Sequence, residues 1–126
     1  MAHMKLLQIY RCLCDETRLR ILYLLAQGPL CVCHFQAILK LPQAAVSKHL
    51  AYLRAKGLVA AQRHEKWMIY HLPEKPSAEL ELQLQCLQDC VQTYPVFRDD
   101  LRRLQKTRQE CGWVEEVAPT HNHKFP

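Results

Sequence analysis

Long hydrophobic runs are missing from this chain of 126 residues. No apolar stretch approaches the roughly 20 residues that a bilayer-crossing helix needs. No basic leader followed by an apolar segment and a small-residue cleavage site opens it either. These absences point to a cytoplasmic protein with no membrane partner. Glycine is scarce, at three residues, and no glycine-rich loop is there to cradle a phosphate. There is no CxxC pair, so chemistry built on one activated cysteine has no support. No internal repeat is visible. Acidic residues are scarce in one place. Between Lys40 and Lys66 there are six basic residues (Lys40, Lys48, Arg54, Lys56, Arg63 and Lys66) and one acid, Glu65. That segment carries +5, and the remainder balances at eleven of each sign. A basic excess confined to one stretch suggests a polyanion partner. The plainer reading is a solvated face.

What the chain has in abundance is cysteine, seven in all. An odd number in a reducing compartment argues against a disulfide framework. It favours a metal or metalloid site, or a reactive thiol. The plainer reading is that free cysteines are buried as small hydrophobes.

Apart from residues 1–3, which read as a cloning scar, the chain divides readily. Residues 5–14 place Leu6, Leu7, Ile9, Tyr10 and Leu13 at roughly helical spacing. Asp15 can cap a second helix, with Glu16 in its first turn and Leu19, Leu22, Leu25 and Ala26 on its apolar face. Gly28-Pro29 ends it. Residues 31–39 predict a short third helix with Val32, Phe35, Ile38 and Leu39 inward. Pro42 suits the first position of a fourth, residues 42–55, which turns Val46, Leu50 and Leu53 inward. Leu58, Val59, Trp67, Ile69 and Tyr70 have strand character around a hairpin tip at His64-Glu65. Ser77 can cap a long amphipathic helix over 78–93, with Leu80, Leu84, Leu87 and Val91 on one face. Pro95 breaks it, and 97–110 resume helical spacing.

The predicted fold is mainly α with a small β-hairpin, a winged helix-turn-helix. Residues 4–111 form the domain and 112–126 a flexible tail. The first and last helices carry more apolar surface than so small a core can cover, so a homodimer is expected; the plainer reading is that the last helix packs within its own chain.

At this point the chain resembles the ArsR/SmtB family of winged-helix repressors. The resemblance rests on "DETRLRILYLL", "LCVCHF", "LPQAAVSKHLAYLRAKGLV" and "RHEKWMIYHL", which together span about residues 12–72. The "CVC" form is most similar to the repressors that respond to arsenite and antimonite. The resemblance implies a homodimer paired through its first and last helices. It also implies operator DNA bound without inducer and released when the metalloid binds. Two departures stand out. The third cysteine common in such repressors is Gln36 here, and the serine that usually caps the recognition helix is Pro42. The carboxylate and histidine pattern of zinc-sensing relatives is absent from residues 78–92.

Cys31 and Cys33 are the candidate metalloid ligands, because As(III) and Sb(III) are soft and prefer thiolate sulfur. Inside an α-helix they would stand about 200° apart around the axis. One ion could then take both only by unwinding that turn, which would tilt the following helix off DNA. Cys14 and Cys12 are the candidate third donors, from the same subunit or across a dimer. Cys86 and Cys90, at i and i+4, offer a second soft-ion site or interface packing. Cys111 is expected to be idle, and His121 and His123 could bind zinc weakly. Gln43, Ser47 and His49 suit base edges, whereas Lys48, Arg54, Arg63 and Lys66 suit phosphates. The expected function is a metalloid-responsive repressor of double-stranded operator DNA, not an enzyme and without an organic cofactor. The alternatives on the same scaffold are a thiol redox sensor or a Cd, Zn or Pb sensor. Further off lie a thiol oxidoreductase, an arsenate reductase and a soft-metal buffer.

Overall fold

The computed structural model describes residues 5–89 and 93–111. Residues 1–4, 90–92 and 112–126 lie outside the described residues, and with them Cys90, Val91, His121, His123 and the expected tail. The order is α1 (Lys5–Leu13), α2 (Glu16–Leu25), β1 (Leu30–Cys31), α3 (Val32–Leu39), α4 (Gln43–Ala55), β2 (Ala60–His64), β3 (Trp67–His71), α5 (Ala78–Asp89) and α6 (Pro95–Cys111). The winged helix-turn-helix expected from the sequence is therefore present: α3 and α4, then the β2–β3 hairpin.

One arginine joins three of the helices. Asp15 caps α2 by accepting from the Arg18 amide at 3.0 Å, which satisfies a donor the helix leaves open. The Arg18 side chain donates to the Cys12 carbonyl at 2.7 Å and the Arg11 carbonyl at 3.2 Å, closing the end of α1. Its guanidinium also lies 4.5 Å from the Tyr52 ring centre on α4. Helix α2 is central, with Ile21, Leu22, Tyr23, Leu24 and Leu25 all buried. A helix covered on several sides needs no single apolar face. It ends at Leu25, before the Gly28-Pro29 breaker predicted from the sequence. Gly28 sits at φ +138, and a Cβ there would come within 2.8 Å of the Arg108 guanidinium.

The third helix departs from expectation at its first residue. Leu30 and Cys31 form a strand opposite Tyr70 and Ile69 of β3, so the sheet order is β1-β3-β2. Cys31 is extended (φ −99, ψ 172) and serves as the N-cap of α3, which begins at Val32. The physical reason is the ladder: pairing with β3 holds Cys31 straight. Leu58 and Val59 are buried but precede β2. The hairpin turns at Glu65-Lys66, with Glu65 at φ 54.

Lys40 adopts the left-handed conformation (φ 58) that closes α3. Pro42 is the N-cap of α4, at φ −65 and ψ 155, and not its first helical residue. Val46, Leu50 and Leu53 are buried as predicted. The Ser77 hydroxyl accepts from the Leu80 amide at 3.2 Å and starts α5. The described part of that helix stops at Asp89, short of the predicted 93. Helix α6 starts at Pro95 and buries Phe97, Asp100, Leu104 and Thr107 at helical spacing. It lies across α2 and α3.

Candidate metal centre and nucleic-acid interface

Cys31 and Cys33 come together although α3 is intact. Their Cα atoms are 5.5 Å apart and their sulfurs are joined as a disulfide. The expectation that one ion could take both only by unwinding a turn is therefore overturned. Because Cys31 precedes the helix in extended backbone, its side chain is not fixed at the helical 200° offset. Cys31 is buried and Cys33 exposed, so the pair has one open side.

His34 completes the group. The ligand atoms of Cys31, Cys33 and His34 all lie within 4.8 Å of one another. The Cys31 amide donates to His34 Nδ1 at 3.2 Å, and Nδ1 is also 3.2 Å from the Cys31 sulfur. An amide can only donate, so this network puts the lone pair on Nδ1 and the ring proton on Nε2. Burial, then the Arg108 charge, lower the His34 pKa to about 4. The imidazole is neutral at neutral pH and able to act as a ligand. When reduced, two soft sulfurs and one borderline nitrogen form a donor set suited to a thiophilic ion.

The other sulfurs are elsewhere. Cys12 is fully buried. Burial raises its thiol pKa against the opposing pull of Arg18, Lys56 and Tyr52, which places it beside α4. Cys14 is exposed between α1 and α2. Among the described residues, neither belongs to the Cys31–Cys33–His34 group. Cys86 is exposed on α5, one helical turn from the exposed Leu82. Leu7 and Tyr10 of α1, the helix in contact with α5, are exposed as well. The Tyr10 hydroxyl accepts from Gln83 Nε2 at 3.3 Å, tying the two helices.

On α4, Ala44, Lys48, Ala51 and Ala55 are all exposed at helical spacing. Gln43 is exposed as well, and Ser47 and His49 are half-buried. Arg54 is exposed at the helix end. On the wing, Arg63 donates to the Glu65 carbonyl at 3.4 Å, and Lys66 lies 5.5 Å from the Trp67 ring centre. Both cations face solvent.

Residues 15–61 match the family described as bacterial regulatory protein, arsR family. The arsenical resistance operon repressor of Escherichia coli is 37% identical over 91 residues, covering 68% of this chain and 78% of that protein. The chain belongs to the ArsR family. The arsenic resistance transcriptional regulator ArsR1 of Pseudomonas putida is 43% identical over 70 residues, 54% of this chain. That match spans about half of the relative's own length, 55%. Among solved structures, HlyU from Vibrio cholerae superposes with a TM-score of 0.60 at 30% identity. The superposition covers 71% of this chain and 91% of that one. An ArsR-family fold explains why α4 and the wing carry the basic excess: they are the elements that a winged helix-turn-helix offers to DNA.

Sequence reasoning named the two cysteines that the structure brings together and did not name His34 beside them. The missed signal was positional. His34 is the third residue of α3, the place from which a capping-box side chain reaches back to the N-cap amide. The same reasoning picked polar residues on α4 and passed over its alanines, which let a helix bed closely in a groove and can meet thymine methyl groups.

Proposed function

We propose that this chain is a metalloid-responsive repressor. As a homodimer it binds double-stranded operator DNA through α4 and the wing, and it lets go when As(III) or Sb(III) is captured by Cys31 and Cys33. The observation that carries this reading is the meeting of Cys31 and Cys33 at the head of α3, the helix that runs through Lys40, Leu41 and Pro42 into α4. Relatives whose names declare arsenic resistance support the choice of ion. Each As–S bond replaces an As–O bond, and the thiol proton leaves with the hydroxide as water. Cys14 and Cys12 remain candidates for a third sulfur, and Cys86 with Cys90 for a second site.

Dimerisation is assigned to the α1–α5 face. Leu7 and Tyr10 on α1 are each 46% exposed and Leu82 on α5 63%, large apolar side chains on two contacting helices that a two-fold partner would cover. Gln43, Ser47 and His49 are assigned to base edges, and Lys48, Arg54, Arg63 and Lys66 to phosphates. The protein acts by binding rather than catalysis, in the cytoplasm. Among the described residues, no helix is long and apolar enough to cross a membrane.

Two outcomes follow for DNA. Lys48→Ala weakens binding at every sequence and lowers the salt slope by about one per protomer, measured as affinity against salt concentration. Gln43→Ala relaxes discrimination at one base pair by about 1–3 kcal/mol and leaves the salt slope alone. The deciding experiment titrates arsenite, antimonite, cadmium and zinc into a complex of reduced protein with fluorescent operator. Release by arsenite or antimonite supports the reading, and an operator complex indifferent to both defeats it.

The Cys31–Cys33 disulfide favours a second reading, a thiol redox sensor. Peroxide would take two electrons and two protons from the pair, leaving a disulfide and two waters. Release by peroxide without metalloid identifies that mode.

A further inference from the structure

A cavity of about 260 Å3 lies at the base of the hairpin, between α1, the turn that follows α4 and the loop from β3 to α5. None of the residues assigned to the metalloid centre or to DNA lines it. We propose that this cavity binds a small organic anion of two negative charges, a phosphate monoester or a dicarboxylate with an apolar body.

Charge is the first support. Lys5, Lys56 and Lys75 line the cavity, and no acidic residue does. They come from three separate parts of the chain: the start of α1, the end of α4 and the loop before α5. Among the described residues, no salt bridge takes up any of the three. Lys56 Nζ stands 5.7 Å from the Tyr52 ring centre, close to the outer limit of about 6 Å for a cation–π contact. Like charges gathered around one space repel, and a dianion among them turns that repulsion into attraction.

Shape is the second support. The three lysines are exposed, whereas Ile9, Leu58 and Leu80 of the same lining are buried. The cavity therefore has a cationic rim over an apolar floor, which favours an organic anion over a bare inorganic one. Its volume falls just below the roughly 300–1,000 Å3 of pockets for drug-sized ligands, so the occupant is smaller than those. The Ser77 oxygen already accepts from the Leu80 amide at 3.2 Å, which leaves the hydroxyl proton to donate to an anion. Pro73 and Pro76 hold their stretch of the lining at fixed φ, so that wall loses little freedom when a ligand enters.

The test uses reduced full-length protein without operator, with phenyl phosphate and phthalate as probes at about pH 8, where a phosphate monoester carries close to two charges. At least one probe binds with Kd below about 1 mM, and the amide NMR signals of Gly57, Leu58, Lys75 and Ser77 shift as it does. Inorganic phosphate and phenol, which are head and body alone, each bind at least about tenfold more weakly. Lys56→Glu and Lys75→Glu each weaken the probe by at least about tenfold, the order of one charge-assisted hydrogen bond. Lys106→Glu makes the same change of charge at an exposed position of α6 outside the cavity and stays within about twofold of wild type. Failure of both probes to bind below about 1 mM overturns the inference. So does inorganic phosphate binding as tightly as the organic probes, an equal loss in Lys106→Glu, or signal shifts centred away from the cavity. If no probe binds while Lys56→Glu and Lys75→Glu weaken operator binding and flatten its salt dependence, the lysines serve the duplex instead. None of these outcomes touches the metalloid reading, which arsenite titration decides separately.

Discussion

Cys31→Ser and Cys33→Ser are each expected to abolish arsenite-driven release while leaving operator binding intact. Serine keeps the size and removes the soft donor, so As(III) loses one of two bonds the pair supplies. The arsenite needed for half-release should rise more than about 100-fold, beyond the upper end of what losing an outer-shell partner does. Release matters only through the difference in ion affinity between the DNA-bound and DNA-free forms. A site that no longer binds has no difference to offer. Fluorescence anisotropy of a labelled operator, with and without arsenite, reads both parts. Cys31 is buried and extended beside β3, whereas Cys33 is exposed on α3. A fold disturbed by the substitution would therefore show in the Cys31 variant and spare the Cys33 variant. Wild-type release by either would remove the pair from the mechanism.

The second large effect concerns stability. Arg20 of α2 grips Asp100 of α6 with two bonds, Nε to Oδ2 at 2.8 Å and Nη2 to Oδ1 at 2.7 Å. The Asp100 hydrogen bond, with burial opposing it, raises the Arg20 pKa and keeps the guanidinium charged. The Asp100 side chain is wholly buried, and its further cation, Arg103, stands at 3.7 Å. Arg20→Met leaves that carboxylate with a poorer partner inside the fold. A loss of about 3–5 kcal/mol is expected, out of a total stability of about 5–15 kcal/mol. Asp100→Ala should cost less. The guanidinium it leaves is 15% exposed and has Glu16 at 3.9 Å. The double variant should recover much of the loss, because replacing a buried pair by apolar groups is often nearly neutral. Urea unfolding of the three variants closes the cycle. Additive losses would show that the two residues do not depend on each other.

Much of the fold was legible because helices announce themselves locally. Asp15 and Ser77 cap where they were expected to, and Val46, Leu50 and Leu53 face inward at helical spacing. Strand β1 was not legible. Two residues make no pattern, and their straightness comes from Ile69 and Tyr70, far along the chain. That one omission carried the error about the cysteine pair. Treated as helical, Cys31 and Cys33 pointed apart; held by the sheet, Cys31 meets its neighbour. The burial of Asp100 was hidden for a related reason. An acid in a run of charged residues reads as surface, and only the position of Arg20 on another helix makes burial affordable. His34 shows the limit at the site: a motif draws attention to the residues that define it and away from the one beside them.

The rung between Cys31 and Ile69 has a bearing on how a signal would leave the centre. Ile69 belongs to the strand that also carries the hairpin tip, and the chain after Cys31 runs through α3 straight into α4. On the proposed function, a tug on one sulfur would reach both elements assigned to the duplex, one by a cross-strand neighbour and the other along α3. Loosening would then strike the helix and the flanking ribbon together.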